Sequence, residues 1–166
     1  MKKTLISVLL CLSFSNFYCQ GIEDTIPKVK ADTLVSFAKT FLGKNYKYGS
    51  INPKAGFDCS GFVYYVFKSF NIKVPRASMQ YEKEGKIILP DSSRIGDIIV
   101  FTGTNAKIRK PGHVGIVISS YGEELTFIHA SSNRKRGGVI ISRFNESPYY
   151  KKRFIKVVRL DCVVVN

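Results

Sequence analysis

Asp58-Cys59-Ser60-Gly61-Phe62-Val63-Tyr64-Tyr65-Val66-Phe67-Lys68-Ser69-Phe70 is the stretch on which the fold turns. Phe62, Val63, Val66, Phe67 and Phe70 make two adjoining apolar stripes at intervals of four, the pattern of a helix with a broad buried face. Asp58 is a favoured N-cap residue, so the helix is expected to begin at or beside Cys59. A thiol in that position feels the positive end of the macrodipole and unpaired backbone N–H groups, both of which favour thiolate. Taken alone, a free cysteine is more often a small buried hydrophobe than a nucleophile, and the assignment needs partners.

Upstream, Leu34, Phe37, Ala38 and Phe41 recur at helical spacing with Gly43 as a stop, which predicts a first amphipathic helix. Residues 46–57 hold Gly49, Pro53 and Gly56 and read as a loop that delivers the chain to the cysteine. Downstream, Val74-Pro75 breaks the helical pattern, and residues 78–84 suit one or two helical turns. Beyond Pro90 the texture turns β-rich, with strands expected at 97–101, 113–119, 125–130, 139–144 and 154–160. Helices first and hairpin-spaced strands after predict an α+β domain, its N-terminal helices packed on an antiparallel sheet of about five strands.

The chain contains two histidines, His113 and His129, both in the expected sheet and in phase with its alternation. Each alone reads more readily as a structural histidine. If the two strands pair symmetrically about Tyr121, however, position 113 lies opposite 129 and the imidazoles share a face, close enough for one ring to hydrogen-bond the other. A two-residue turn would put them on opposite faces. A thiolate attacking an amide needs an imidazole to take its proton and later protonate the leaving amine, which suits His113. A third polar group must hold that base in one tautomer, which suits His129. The backbone N–H of Cys59 is the expected oxyanion donor. The geometric condition is that the two imidazoles share the face that meets the cysteine helix.

Composition bounds the rest. With 166 residues, 45% apolar and 13% aromatic, the chain has material for one domain, and no low-complexity tract or repeat interrupts it. Lys2 and Lys3 before an apolar run at 4–14 have the layout of a secretory signal peptide, assigned to 1–19 with cleavage between 15 and 19. A lipid anchor on Cys19 is an alternative, against which stands the lack of a small residue in Asn16-Phe17-Tyr18. A tether follows at 20–30 and the folded domain at 31–162.

Removing Lys2 and Lys3 from 26 basic residues leaves 24 against 12 acidic, so an acidic partner is expected, and an anionic cell envelope fits an exported chain better than nucleic acid. Cys11 and Cys19 lie in or beside the export signal, leaving Cys59 and Cys162. Those two could pair in an oxidising compartment, but no disulfide framework is evident and no metal-ligand spacing is present.

The motifs also carry a resemblance. Gly56-Phe57-Asp58-Cys59-Ser60-Gly61-Phe62-Val63, Val74-Pro75-Arg76-Ala77-Ser78 with Gln80, Gly96-Asp97-Ile98-Ile99-Val100-Phe101, His113-Val114-Gly115-Ile116 and Ile128-His129-Ala130-Ser131-Ser132 stand in order, followed by Ser147-Pro148-Tyr149-Tyr150-Lys151-Lys152-Arg153-Phe154. They resemble the NlpC-type peptidoglycan endopeptidases from about Leu34 to Leu160. The resemblance implies a papain-like α+β fold, no cofactor, and hydrolysis of amide bonds in peptidoglycan stem peptides, often between D-glutamate and a diamino acid; a monomer is expected.

It places the catalytic cysteine, histidine and third polar residue on Cys59, His113 and His129, and substrate contacts on Tyr46, Asp58, Ser60, Arg76 and Ser78. Asp58 would meet a stem amine and Arg76 a stem carboxylate, although Asp58 suits a plain helix cap and Arg76 a surface ion pair equally. Two features depart from the pattern: one glycine rather than two in Tyr48-Gly49-Ser50, and the basic insertion Lys107-Ile108-Arg109-Lys110. A transferase or amidase of the same superfamily acting on lipid or protein is the alternative. Lipid-acting relatives place histidine before cysteine, the reverse of the order here. A binding module with a dead site is a third reading, disfavoured by retention of all three residue types.

Overall fold

The structure, a computed structural model, describes residues 27–135 and 137–165. The expected signal peptide, its cleavage site, Cys11 and the Cys19 anchor lie outside the described residues. In chain order the elements are β1 (Val29–Lys30), α1 (Ala31–Lys39), β2 (Ile51–Asn52), β3 (Gly56–Phe57), α2 (Cys59–Lys68), a 3-10 turn at Ser78–Glu82, β4 (Lys86–Ile88) and a 3-10 turn at Pro90–Ser92. There follow β5 (Ile98–Thr102), β6 (Pro111–Val117), β7 (Thr126–Ser131), β8 (Gly138–Arg143), α3 (Pro148–Arg153), β9 (Phe154–Arg159) and β10 (Val163–Val164).

The five expected strands are β5 to β9, and they form one antiparallel sheet with a sixth, β4, at its edge, in the order β4-β9-β5-β6-β7-β8. The loop expected at 46–57 contains the small hairpin of β2 and β3. Val29–Lys30, assigned to the tether, pairs in parallel with Val163–Val164, so strand pairing extends beyond both ends of the expected 31–162 domain.

The sheet is buried on both faces. On one, α1 and α2 pack Leu34, Val35, Ala38, Phe62, Val63, Val66 and Phe67 into one core with Ile98, Val100, Val114, Ile116, Ile128 and Ala130. Phe37, Phe41, Phe57 and Tyr65 meet edge to face at ring separations of 5.1 to 5.5 Å between the two helices and the loop, geometry that aromatic pairs favour. On the other face Ile99, Phe101, Val117, Leu125, Phe127 and Val157 form a second core with Phe144, Tyr150 and Phe154. That second core is why the central strand β5 is apolar at every position but its last, rather than alternating.

Two registers position the site. Strands β6 and β7 pair Ile116 with Ile128 and Val117 with Phe127, which centres the hairpin on Gly122 rather than on Tyr121. Along that register 113 falls opposite 131 and 129 opposite 115, so the histidines are diagonal rather than directly opposed. Their shared parity survives, because the odd-length connection keeps 113 and 129 on one face. In the β5–β6 pair, Phe101 faces His113 but Thr102 faces Pro111, which leaves Gly112 as the extra residue of a β-bulge. A Cβ on Gly112 would lie 2.5 Å from the Gly103 backbone, so glycine is required for this approach.

Candidate active site

Asp58 caps α2 as expected, its Oδ1 accepting from the Gly61 N–H at 2.6 Å, and Cys59 is the first residue of the helix. The Cys59 Sγ lies 3.9 Å from the carbonyl oxygen of Gly112, so the bulge sets the residue just before His113 against the thiol. Nε2 of His113 lies 2.9 Å from Nδ1 of His129, with the rings at 87°. His129 is fully buried, and its own Nε2 lies 3.0 Å from Ser142 Oγ and 3.3 Å from Tyr150 Oη. Gly115, opposite His129, makes the room: a Cβ there would stand 3.0 Å from that of His129.

The imidazoles do not lie on the face against which the apolar side of α2 packs. His129 contacts Phe127 and Tyr150, in the second core, while Val114 and Ile116 carry the helix. The expected condition was therefore drawn too narrowly: the histidines share a face, and it is the N-terminus of α2, not its buried stripe, that reaches their cleft.

That cleft has a volume of about 580 Å³ and is lined by Tyr46, Cys59, His113, the end of β7 and residues of α3. Tyr46, one of the expected substrate contacts, is in its wall. Asp58, Ser60 and Arg76 form a separate cluster beside the cysteine. Arg76 binds Asp58 with both terminal nitrogens, at 3.0 and 2.8 Å, and Nη1 also donates to Ser60 Oγ at 3.2 Å. The opposite charges expected to meet the two ends of a stem peptide thus meet each other, and both of the plainer readings, cap and ion pair, describe the structure. Ser78 opens the 3-10 turn after Arg76, away from the cleft lining.

Electrostatics correct one expectation. Burial pushes the Cys59 thiol above its ordinary value and the neighbouring Asp58 adds to this; the backbone N–H groups of Ser60, Val114 and Cys59 itself pull the other way and lose. The helix start favours thiolate, but desolvation wins, and the resting group is a thiol. Burial, helped by the Arg153 charge, pushes His113 down to about 3, and burial, His113 and Arg153 push His129 well below its ordinary value. Both imidazoles are therefore neutral near pH 7. Burial, Cys59 and Asp58 push Tyr46 up to about 12, which keeps its hydroxyl a donor.

Cys59 and Cys162 are both free thiols, so the alternative of a bridge between them is not realised. Ser142, Tyr150 and Arg153 went unnoticed in the sequence as site residues. Ser142 carries no signal of its own, whereas Tyr150 and Arg153 lie inside the Ser147–Phe154 block.

A helix-borne cysteine meeting a pair of imidazoles on two adjacent interior strands of an antiparallel sheet defines a papain-like α+β domain. Within that class the chain belongs to the NlpC/P60 family, which matches residues 43–159. It is 30% identical over 96% of its length to a gamma-DL-glutamyl hydrolase of Bacillus subtilis, and 37% identical over 71% of its length to the murein DD-endopeptidase/murein LD-carboxypeptidase MepS of Escherichia coli. It spans 36% and 56% of those two proteins. The crystal structure of an NlpC/P60 family protein from Bacillus cereus superposes with a TM-score of 0.68 at 31% identity, covering 81% of this chain and 41% of that one.

Proposed function

We propose that this chain is an exported cysteine peptidase that hydrolyses amide bonds in the stem peptides of peptidoglycan, with Cys59 as nucleophile, His113 as general base and His129 as the residue that orients the base. The observation that supports it most is the 2.9 Å contact between the two imidazoles at the cleft onto which Cys59 opens. The murein and glutamyl substrates in the names of its relatives supply the substrate class.

The tautomers follow from the roles. For Nδ1 of the neutral His113 to accept the thiol proton, its Nε2 carries hydrogen and donates to Nδ1 of His129. His129 then carries its hydrogen on Nε2 and donates to Ser142 Oγ. The thiol loses its proton to His113 as sulfur attacks the scissile carbonyl, and the Cys59 backbone N–H stabilises the oxyanion. The imidazolium protonates the leaving amine, leaving a thioester. Water, deprotonated by His113, opens the thioester and the thiol is restored.

Tyr46 donates its hydroxyl to the bound peptide. Asp58, Ser60, Arg76 and Ser78 form the neighbouring binding region, where a stem amine would share Asp58 with Arg76. The bond cut is a D-glutamyl link to a diamino acid or a cross-link between stems. Digestion of purified peptidoglycan fragments by the mature chain, followed by mass spectrometry, identifies it. New fragments at one bond type support the proposal, and an unchanged digest excludes it.

A further inference from the structure

A second cavity, of about 340 Å³, adjoins the catalytic cleft, and Thr104, Tyr149 and Arg153 line both. Asn105, Ala106, Lys107 and Lys152 complete its walls, so three cations face it and no Asp or Glu does. Two distant segments build it. The 104–110 loop carries the basic insertion, and the end of α3 carries Lys151-Lys152-Arg153. Arg109 ties them together, Nη1 donating to the Lys152 carbonyl at 3.3 Å and Nη2 to the Phe154 carbonyl. Its guanidinium is thus used to hold the loop on the helix end, where unpaired carbonyls accept readily.

Arg153 is the unusual member. It is 5% exposed, and a buried arginine ordinarily has a carboxylate partner. Here Nε and Nη2 donate to the carbonyls of Gly103 and Thr102, at 2.8 and 2.7 Å, and the guanidinium lies 4.3 Å from the centre of the Tyr149 ring. Among the described residues four ion pairs are present, and none includes Lys107, Lys152 or Arg153. The wall shared by the two cavities therefore carries positive charge without an internal counter-ion.

We propose that this second cavity is a substrate subsite that takes a carboxylate of the same peptide that Cys59 cuts, held by Arg153 with Lys107 and Lys152. The inference rests on the peptidase function proposed above. A peptide carboxylate suits it better than a polymeric anion for two reasons. The cavity is continuous with the cleft through three shared residues, so one extended peptide spans both. Its volume, about 340 Å³, is also that of a small-ligand site rather than of a track along which a long polymer lies. The half-exposed Tyr149 ring offers an apolar surface for the carbon chain that bears the carboxylate.

The test uses a pair of synthetic stem peptides that differ by one free carboxylate against its carboxamide, with the wild-type chain and the double variant Lys107→Gln/Lys152→Gln. Both lysines are exposed, so the fold does not depend on them. The wild type is expected to prefer the acid in kcat/KM, with the double variant losing about tenfold of that preference through KM, the scale of lost charge-assisted hydrogen bonds. Titration of the acid peptide into Cys59→Ala protein, with and without the lysine substitutions, reads the same loss in Kd without turnover.

Equal use of acid and amide by the wild type, or a preference untouched by the double variant, overturns the subsite. So does a result in which only inorganic polyphosphate loses affinity on substitution, which would make the surface a polyanion site. Acid-selective binding without any cleavage would overturn the peptidase proposal and leave the subsite standing.

Discussion

His113 and His129 meet diagonally across β6 and β7, Nε2 to Nδ1 at 2.9 Å, with Gly115 leaving the space between them. In the proposed mechanism this contact gives His129 one task, to accept from His113 and fix its reactive nitrogen. His129→Ala is expected to lower kcat by about a hundredfold or more, the scale of losing the tautomer control of a general base. His129→Asn, which can still accept, should recover much of that loss. Circular dichroism separates either effect from misfolding, and equal loss in the two variants would count against the orienting role.

His129 Nε2 lies 3.0 Å from Ser142 Oγ and 3.3 Å from Tyr150 Oη, and in the proposed mechanism it carries the hydrogen that these oxygens receive. Tyr150 also lies nearly parallel to the His113 ring, 6.4 Å away at 21°. In the proposed mechanism each serves to position the imidazole pair. Ser142→Ala and Tyr150→Phe are each expected to lower kcat by about three- to tenfold, in line with one neutral hydrogen bond. The double variant should cost more than either. A change confined to KM would place these residues in substrate binding instead.

Because the Cys59 thiol is raised and His113 is neutral, the resting pair is thiol and imidazole rather than thiolate and imidazolium. Alkylation of Cys59 by iodoacetamide, followed peptide by peptide so that Cys162 is read separately, should be slow at pH 7 and accelerate with pH to above 9. A fast rate that is flat from pH 5 to 8 would reveal a preformed ion pair.

The same histidines make stability depend on pH. Their folded values lie below the ordinary 6.5, about 3 for His113 and well below 6.5 for His129, so the unfolded chain binds more protons in between. Their contribution is complete above about pH 6.5 and is lost as pH falls from there toward about 3. The melting temperature should decline across that window, and His129→Asn should flatten the decline. A melting temperature independent of pH there would contradict the buried neutral assignment.

Asp97, 2% exposed, accepts from Arg159 Nε at 2.8 Å and Nη2 at 2.7 Å, while Arg94 N–H donates to it at 2.9 Å. The Gly96-Asp97 block is thus a structural element of the fold, remote from the imidazoles. Asp97→Ala should cost about 1–3 kcal/mol in chemical denaturation, the scale of losing hydrogen bonds to a buried charged group, because Arg159 is only partly buried and can turn to water.

Much of this was legible in the sequence because long apolar patterns and short chemical motifs coincided. Phe62, Val63, Val66 and Phe67 announced α2, and the five β-rich runs announced β5 to β9. Strand β4 escaped because Lys86-Ile87-Ile88 has one buried residue, too few for an alternation to show. Helix α3 escaped because its six residues bury only Arg153 and offer no stripe, although Ser147-Pro148 is an N-cap and N1 signature.

At the site, His113 and His129 could be paired from phase alone, and Cys59 was joined to them by its place at a helix start and by the ordered motifs. The hairpin centre was missed by one residue because Tyr121-Gly122-Glu123 suits a turn in either frame. The thiol's raised value was not legible, since burial and the Asp58 charge arise from packing that no local motif encodes. The same holds for the contacts that Ser142 and Tyr150 make with His129 from β8 and α3, although Tyr150 itself lies in a motif block.

The central claim is that Cys59 is acylated by the substrate and that His113 makes it so. Rapid quenching of the wild type with a stem peptide, followed by mass spectrometry of the Cys59-containing fragment, measures this directly. A thioester adduct on Cys59, missing in His113→Ala, is the expected result. Cleavage by Cys59→Ala at the wild-type rate, or an adduct on another residue, would contradict it.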